Sequence, residues 1–262
     1  MVNRHPTPYP DVNEMLALLL SEVQKVLGEQ FVGLYLFGSL SSGDFHPDAS
    51  DIDYLVVTTD ILAENSIAGL EAMHYRIWNT GWKWAERLEG SYIPKDHLRR
   101  YKKSERAYPM VNEGRFFSAP HGSDWIIQRH IIREYGVVLA GPDPKTLIDP
   151  ISPNDIRRAV RGSLEEWWFP LLDDPSWLQN HGSEYHAYAI LTMCRSLHAL
   201  EHGTIISKPA AAKWAEGKLD GKWPQVIEQS LATRMGARNY ELYDEALELI
   251  RYTMRKVSLI TA

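Results

Sequence analysis

The sequence predicts an α+β protein, with an N-terminal domain built on a mixed β-sheet flanked by helices and a C-terminal α-helical bundle. Short apolar runs typical of strands alternate with helical patterns over residues 1–150, whereas the residues after them follow almost entirely the period of helices. We therefore expect one domain over 1–150 and a second over 151–262. The default ligand site of such an arrangement is a cleft between the domains.

The N-terminal elements follow from the spacing of apolar residues and from turn residues. Apolar residues spaced as on one helix face, with Asp11 as the expected N-cap and Gly28 as the stop, predict the first helix. The same criteria predict helices over 11–27, 67–79 and 124–135, strands over 31–37 and 52–58, a third strand within 84–93, and an apolar stretch over 137–139.

The C-terminal helices begin at a clear start signal. Ser152 has the chemistry of an N-cap, Pro153 suits the first helical position, and Asp155 stands three residues after the cap. The pattern that follows predicts helices over 153–168, 184–202, 207–217, 223–235 and 239–257.

The composition excludes several classes of protein. The chain has 262 residues, of which 44% are hydrophobic and 24% charged, as in soluble globular proteins. The formal net charge of −6 argues against nucleic acid as a partner, because that binding requires Lys and Arg to neutralise phosphates. A small cationic substrate fits the charge better.

The single cysteine and the first residues of the chain are indications of the cellular compartment. Cys194 alone cannot form an intrachain disulfide, and its apolar helical surroundings indicate a core residue. Residues 1–6 include no apolar segment suited to a secretory signal or a membrane span. We expect a cytoplasmic protein without a membrane partner that is able to act as a monomer.

Two short motifs at the first two strands indicate phosphoryl chemistry. Gly38-Ser39 follows the first strand, and Asp51-Ile52-Asp53 runs into the second. Alternate residues of a strand share a face, so Asp51 and Asp53 present two carboxylates together, which suits Mg²⁺. Gly38 allows backbone amides to approach a phosphate, and Ser39 adds a hydroxyl donor. Each motif alone is common, so it is their combination that predicts a site.

The run LFGS at 36–39, together with Asp51-Ile52-Asp53, resembles the signature of polymerase-β-like nucleotidyltransferases. More narrowly, the chain resembles the aminoglycoside adenylyltransferases that act on streptomycin and spectinomycin. The segments similar to that family are 88–89, 124–142, 191–195 and 207–215. The similarity thus covers most of the chain, although Leu40–Asp48 is longer and more polar than expected and 92–122 matches poorly.

The resemblance implies an enzyme that transfers AMP from ATP to a hydroxyl of the antibiotic and so confers resistance. ATP is then the co-substrate, and two Mg²⁺ ions are held by Asp51, Asp53 and Glu89. Glu89 is also the implied base for the substrate hydroxyl, although Glu86 is a competing candidate by proximity.

The resemblance also implies two groups of binding residues. Lys208 is similar to a family lysine that reaches toward the phosphates, and Asp124 fits an N-cap at least as well as a ligand contact. The nucleotide-binding set is Gly38, Ser39, Ser50, Asp124 and Lys208. The substrate-binding set is Glu89, Trp177, Glu184 and His186.

Three other functions stay open at this stage. A transferase of the same fold could modify a protein or an RNA end, or the chain could be a silent nucleotide-binding protein. In addition, His198, Glu201 and His202 fit the H-x-x-E-H pattern of a zinc peptidase, although histidines are also favoured at a helix C-terminus without any metal.

Overall fold

The computed structural model describes residues 5–260 and divides into two compact units. Unit 1 comprises the chain up to Phe45, Ser50–His121 and Gln128–Pro150, and unit 2 comprises His46–Ala49, Gly122–Ile127 and the chain from Ile151 onward. Two short segments of the first 150 residues therefore pack within unit 2. The outer limits of the two expected domains, at residues 1–4 and 261–262, lie outside the described residues.

Unit 1 is built on a six-stranded sheet in the order β5-β4-β3-β2-β1-β6. Strands β2 and β3 are parallel and the other neighbours are antiparallel, so the sheet is mixed, as predicted. Its strands are β1 Phe31–Leu36, β2 Ile52–Thr58, β3 Leu88–Pro94, β4 Ala107–Asn112, β5 Arg115–Pro120 and β6 Val137–Ala140. The helices between them are α1 Pro10–Leu27, α2 Gly38–Ser42, α3 Glu64–Trp78, α4 Lys95–Arg99, α5 Asp124–Tyr135 and α6 Pro144–Leu147.

The central strands are apolar because they are buried on both faces. Nearly every residue of β2 is buried, and β2 packs with α1 and α3 in one hydrophobic cluster. His74 of α3 lies in this core, with its Nε2 2.7 Å from the Tyr92 hydroxyl and 3.3 Å from the Tyr54 hydroxyl. Burial lowers the pKa of His74 to about 3 and raises the pKa of Tyr54 well above its usual value. His74 is therefore a neutral core residue at physiological pH.

Three details of unit 1 differ from the sequence prediction. The expected loop after β1 begins with the short helix α2. The residues that matched the family poorly contain the hairpin β4–β5, whose turn residues Glu113 and Gly114 both have positive φ, as in a type I′ turn. Asp11 lies inside α1 instead of capping it, because the helix begins at Pro10, and the Asp11 carboxylate accepts the indole N–H of Trp84 at 2.8 Å.

Unit 2 is helical, as predicted. Its helices are α7 Pro153–Ser163, α8 Ser176–His202, α9 Lys208–Glu216, α10 Trp223–Arg234 and α11 Tyr243–Ile260, with a π-helical turn at Leu164–Trp168 and a 3₁₀ turn at Phe169–Leu172. The capping box between Ser152 and Asp155 is present. Helix α8 begins earlier than expected and continues through a kink at Gly182, where φ is +73° and ψ is −170°.

A second hydrophobic cluster forms the core of unit 2, with α8 contributing many of its buried side chains. Cys194 is fully buried there, as expected, and burial raises the pKa of its thiol to about 12. Among the helices that the structure describes, none combines the length and hydropathy required of a membrane span.

Candidate active site

Two of the three predicted carboxylates meet on neighbouring strands. In the parallel pairing of β2 and β3, Asp53 is the direct register partner of Glu89, and both side chains are half-buried. Glu86, the competing candidate, is exposed and precedes the strand, and its side chain lies near Gly114 of the β4–β5 turn. The register therefore favours Glu89 over Glu86 as the partner of Asp53.

The glycine of the first motif lies directly against the carboxylate of the second. Gly38 has φ of +60°, and a Cβ added to it would overlap the carboxylate of Asp53. The amide of Phe37 donates to the main-chain oxygen of Asp53 at 3.1 Å. The two motifs therefore form one structure, and only glycine provides both the backbone conformation and the space it needs.

Asp51 stands immediately before β2 and is engaged by an arginine that the sequence analysis did not assign. The Nε atom of Arg87 lies 3.5 Å from Oδ1 of Asp51, and the main-chain oxygen of Arg87 accepts from the amide of Ile52 at 2.8 Å. A basic residue two positions before Glu89 was the only available signal. Because the Asp51 side chain is 54% exposed, solvent weakens the ion pair.

The donor set suits a hard divalent cation. Asp51, Asp53 and Glu89 offer only carboxylate oxygens, the ligands preferred by Mg²⁺. Within residues 5–260, however, no three carboxylate, imidazole or thiolate groups converge closely enough to enclose a metal ion. The Asp51 carboxylate is turned to Arg87, so a cation held by all three residues requires Asp51 to leave that pair.

The other predicted nucleotide contacts fall in both units. Ser39 lies in the first turn of α2, Ser50 is 3% exposed, and Asp124 is the first residue of α5. Lys208 begins α9 after the N-cap Ser207, with its ammonium 4.0 Å from the centre of the Tyr188 ring. This cation–π contact orients the lysine side chain.

The substrate residues predicted in unit 2 have different environments. Trp177 belongs to an aromatic cluster, with its ring centre 4.5 Å from His181, 5.1 Å from Tyr185 and 5.4 Å from Trp167. Glu184 is exposed on α8. His181, Tyr185 and Trp167 were not singled out by the sequence analysis, although His181 and Tyr185 follow Trp177 at helical spacing.

His186 is placed in the core of unit 2. It is 3% exposed, its Nε2 lies 3.1 Å from the main-chain oxygen of Leu178, and its ring meets Tyr243. This burial favours a packing role over a contact with substrate. Contact of His186 with substrate stays a prediction.

The zinc-peptidase pattern occupies the last turns of α8. The rings of His198 and His202 lie 4.6 Å apart, and both pack edge-on against Trp214. Glu201 accepts from the ammonium of Lys218 at 3.0 Å. These contacts account for all three residues by packing and by an exposed ion pair.

Comparison with known families adds independent observations. A family model for the nucleotidyltransferase domain matches residues 20–105, and a model for the C-terminal domain of aminoglycoside adenylyltransferases matches residues 146–257. The chain thus combines a nucleotidyltransferase domain with a C-terminal domain of the kind found in aminoglycoside adenylyltransferases. Asp51, Asp53 and Glu89 fall within the match to the nucleotidyltransferase domain, and Trp177, Glu184 and Lys208 fall within the match to the C-terminal domain.

Two relatives are similar in sequence to this chain along nearly its whole length. The spectinomycin 9-adenylyltransferase of Campylobacter jejuni is 25% identical over 252 residues, covering 91% of this chain and 93% of the relative. The aminoglycoside (3'')(9) adenylyltransferase of Escherichia coli is 24% identical over 263 residues, covering 95% and 96%.

A solved structure shares the fold. The crystal structure of spectinomycin adenyltransferase from Enterococcus faecialis, with ATP and spectinomycin, superposes with a TM-score of 0.74 at 20% identity. The match covers 94% of this chain and 98% of that chain. The α+β fold class predicted from the sequence is therefore confirmed.

Proposed function

We propose that the chain transfers AMP from ATP to a hydroxyl of an aminoglycoside or aminocyclitol antibiotic and so inactivates the drug. The observation that carries this proposal is the packing of Gly38 against the carboxylate of Asp53, opposite Glu89. It joins a turn suited to phosphate with the carboxylates that phosphoryl transfer requires. The names of the relatives, spectinomycin 9-adenylyltransferase and aminoglycoside (3'')(9) adenylyltransferase, support the class of acceptor.

In the proposed reaction, the substrate hydroxyl oxygen attacks the α-phosphorus of ATP. The new O–P bond forms as the bond from the α-phosphorus to the bridging oxygen breaks, and pyrophosphate leaves with that electron pair. Glu89 accepts the hydroxyl proton on its carboxylate. The pairing of β2 with β3 supports this role for Glu89, because it places Glu89 directly beside Asp53.

Asp51, Asp53 and Glu89 are the residues proposed to hold Mg²⁺. Magnesium bound there supplies positive charge to the phosphate oxygens and favours departure of pyrophosphate. A cation held there would compete with Arg87 for the carboxylate of Asp51. Gly38 keeps the backbone of the turn close to Asp53, and Ser39 supplies a hydroxyl donor beside it.

Lys208 and the aromatic cluster are the proposed contributions of unit 2. The ammonium of Lys208, oriented by Tyr188, neutralises phosphate charge. The exposed carboxylate of Glu184 and the faces of Trp177 and its neighbours suit a cationic substrate, through charge pairing and cation–π attraction. The acidic chain as a whole, with a net charge of −6, favours the same kind of acceptor.

Replacement of one carboxylate tests the proposal. Purified protein with ATP, MgCl₂ and streptomycin or spectinomycin is expected to yield the antibiotic plus AMP by mass spectrometry, with release of pyrophosphate. Asp53→Asn is expected to lower the rate by at least about a thousandfold, because the carboxylate charge that holds the cation is removed. Asp60→Asn, an exposed aspartate just after β2, serves as the matched control and is expected to keep the rate.

Two results would contradict the proposal in different ways. Equal product formation by Asp53→Asn and wild type would show that the reaction uses another site. If the wild-type protein formed no adenylylated antibiotic from either drug, the assignment of the acceptor would be wrong.

A further inference from the structure

Unit 1 forms a cavity beside the end of β3 that lies farther from Glu89. Its volume is about 480 Å³, and its walls come from α4, from the following loop, from the start of β4, and from His121 and Arg129. His121 reaches back along β3, since its Nε2 lies 3.0 Å from the hydroxyl of Ser91, two positions after Glu89. None of the three carboxylates of the candidate site lines the cavity, so the cavity and the carboxylate site have different walls.

The lining of this cavity is strongly basic in a chain that is acidic overall. Its only acidic residue is Asp96. Its arginines and lysine are Arg99, Arg100, Lys102, Arg106 and Arg129. The chain as a whole carries a net charge of −6, so its overall composition does not account for this local concentration of guanidinium and ammonium groups. Such a concentration attracts anions.

One of these cations, Arg129, is a buried side chain. Arg129 is 2% exposed, and its Nε and Nη2 donate at 3.0 Å to the main-chain oxygens of Leu98 and His97. Its guanidinium also lies over the ring of Tyr101, 5.6 Å from the ring centre. Burying a charged group is costly, so an arginine held in this way is a fixed part of the wall.

Aromatic rings form another part of the lining. Tyr108 and His121 stack with ring centres 4.3 Å apart, and the Tyr108 hydroxyl lies 3.0 Å from Nδ1 of His97. The Tyr101 hydroxyl donates to the main-chain oxygen of His121 at 3.2 Å. The rings are therefore held in place before any ligand arrives.

The exposed cations are arranged around the opening. Arg99 and Arg100 both pair with Asp149, which is not part of the lining, and Arg99 Nη1 lies 3.0 Å from its Oδ1. One carboxylate thus offsets part of the charge of two arginines. Lys102 and Arg106, exposed on the loop before β4, add two further positive charges.

We propose that this cavity is a binding site for a small phosphorylated molecule, separate from the adenylylation site. Guanidinium groups match phosphate oxygens by paired hydrogen bonds, and the volume falls within the range of small-ligand pockets. The rings of Tyr101 and Tyr108 suit a planar group attached to the phosphate. Inorganic phosphates and nucleotides share the phosphate chemistry, and the experiment separates these two sources.

Paired charge reversals test the site in the full-length protein. Inorganic tripolyphosphate and AMP are titrated separately by calorimetry, without Mg²⁺ or antibiotic. The wild-type protein is expected to show a binding event that is at least about 30-fold weaker in the double variant Lys102→Glu/Arg106→Glu, because hydrogen bonds to charged partners are lost. The matched control, Arg115→Glu/Lys145→Glu, changes the net charge equally at exposed positions of unit 1 outside the cavity and is expected to bind like wild type.

Comparison of the two probes identifies the source of the phosphate. Tighter binding of AMP than of tripolyphosphate indicates a nucleotide, and the reverse indicates an inorganic polyphosphate. Absence of binding to the wild-type protein, or equal affinities in the two double variants, would overturn the proposal. So would loss of antibiotic adenylylation in a folded Lys102→Glu/Arg106→Glu protein, because the cavity would then serve the adenylylation reaction itself.

Discussion

Gly38 illustrates how one residue joins two motifs that are distant in the sequence. Its positive φ would be strained for any residue with a Cβ, and the space beside it is filled by the Asp53 carboxylate. The sequence pattern predicted a turn at Gly38 and a carboxylate at Asp53, but it did not predict that the two are in direct contact. That contact explains why the position requires glycine.

The variant Gly38→Ala is expected to lower kcat/KM for the antibiotic by at least about 100-fold, because displacing the carboxylate proposed to hold the cation by even 1 Å is enough for a loss of that size. The control is Gly43→Ala. Gly43 also has positive φ, at +78°, but open space surrounds the position of its missing Cβ. Both variants are expected to lose thermal stability through the strained φ, Gly38→Ala more so because of the overlap with Asp53, whereas only Gly38→Ala loses activity. Equal kinetic losses would indicate that backbone strain, not the Asp53 contact, matters.

The contact of Arg87 with Asp51 could not be predicted from local sequence patterns. The sequence identified the carboxylates because their spacing on a strand is a local property. The approach of Arg87 to Asp51 depends on the pairing of β2 with β3, which brings together residues 36 positions apart. A pairing of this kind is decided by the sheet and not by local spacing.

Among the elements, α8 differs most clearly from its predicted form. The sequence predicts a helix over 184–202, whereas α8 begins at Ser176 and includes Gly182, although glycine disfavours helix interiors. In the structure, the helical segments on either side of Gly182 join through a kink whose φ and ψ, +73° and −170°, belong to a region that is essentially accessible to glycine alone. The kink puts Trp177 and Tyr185 on opposite sides of the break while their rings remain in contact.

Gly182→Ala is therefore expected to destabilise unit 2 by about 1–3 kcal/mol, since alanine must adopt a strained conformation there. Thermal unfolding followed by circular dichroism measures the change. Gly217→Ala is the control, because Gly217 lacks positive φ and its added Cβ would make only an ordinary contact with Trp214. It is expected to be neutral or slightly stabilising. A Gly182→Ala protein as stable as this control would show that the kink is not required.

The β4–β5 hairpin was missed for a different reason. In β4 buried residues alternate with half-buried ones, but β5 is mostly exposed and has no buried face that would reveal a strand. The positive φ values of Glu113 and Gly114 define the turn, yet Glu-Gly is not among the strong hairpin signals in a sequence. Pairing with β3 stabilises the hairpin, and this is tertiary information.

At the scale of the whole molecule, charge favours a cationic acceptor. The net charge of −6 creates a field that attracts cations at a distance. Salt at high concentration shortens the range of such a field to a few ångströms. The KM for streptomycin is therefore expected to rise about tenfold between roughly 0.1 M and 1 M KCl, with kcat much less affected. Steady-state assays in sucrose of matched osmolarity control for solvent effects. A KM insensitive to KCl would show that charge attraction contributes little to substrate binding.

The chain also passes between the units more often than a simple division at residue 150 implies. The segment Gly122–Ile127 belongs to unit 2, where Ser123 donates its amide and its hydroxyl to the carboxylate of Glu166 at 2.8 and 3.0 Å. Glu166 lies in the π-helical turn after α7. The first turn of α5 is thus anchored by residues that lie more than 40 positions later.

Local sequence patterns were enough to predict the fold class, most of the helices and central strands, and the carboxylates of the candidate site. These features depend on local periodicity and on the spacing of a few chemically distinct residues. The folded chain was needed to show that Gly38 lies against Asp53 and that Arg87 pairs with Asp51. It was also needed to show that His186 is buried and that a basic cavity forms near the end of β3. Those features depend on strand pairing and on packing between residues far apart in the chain, and local patterns carry no record of either.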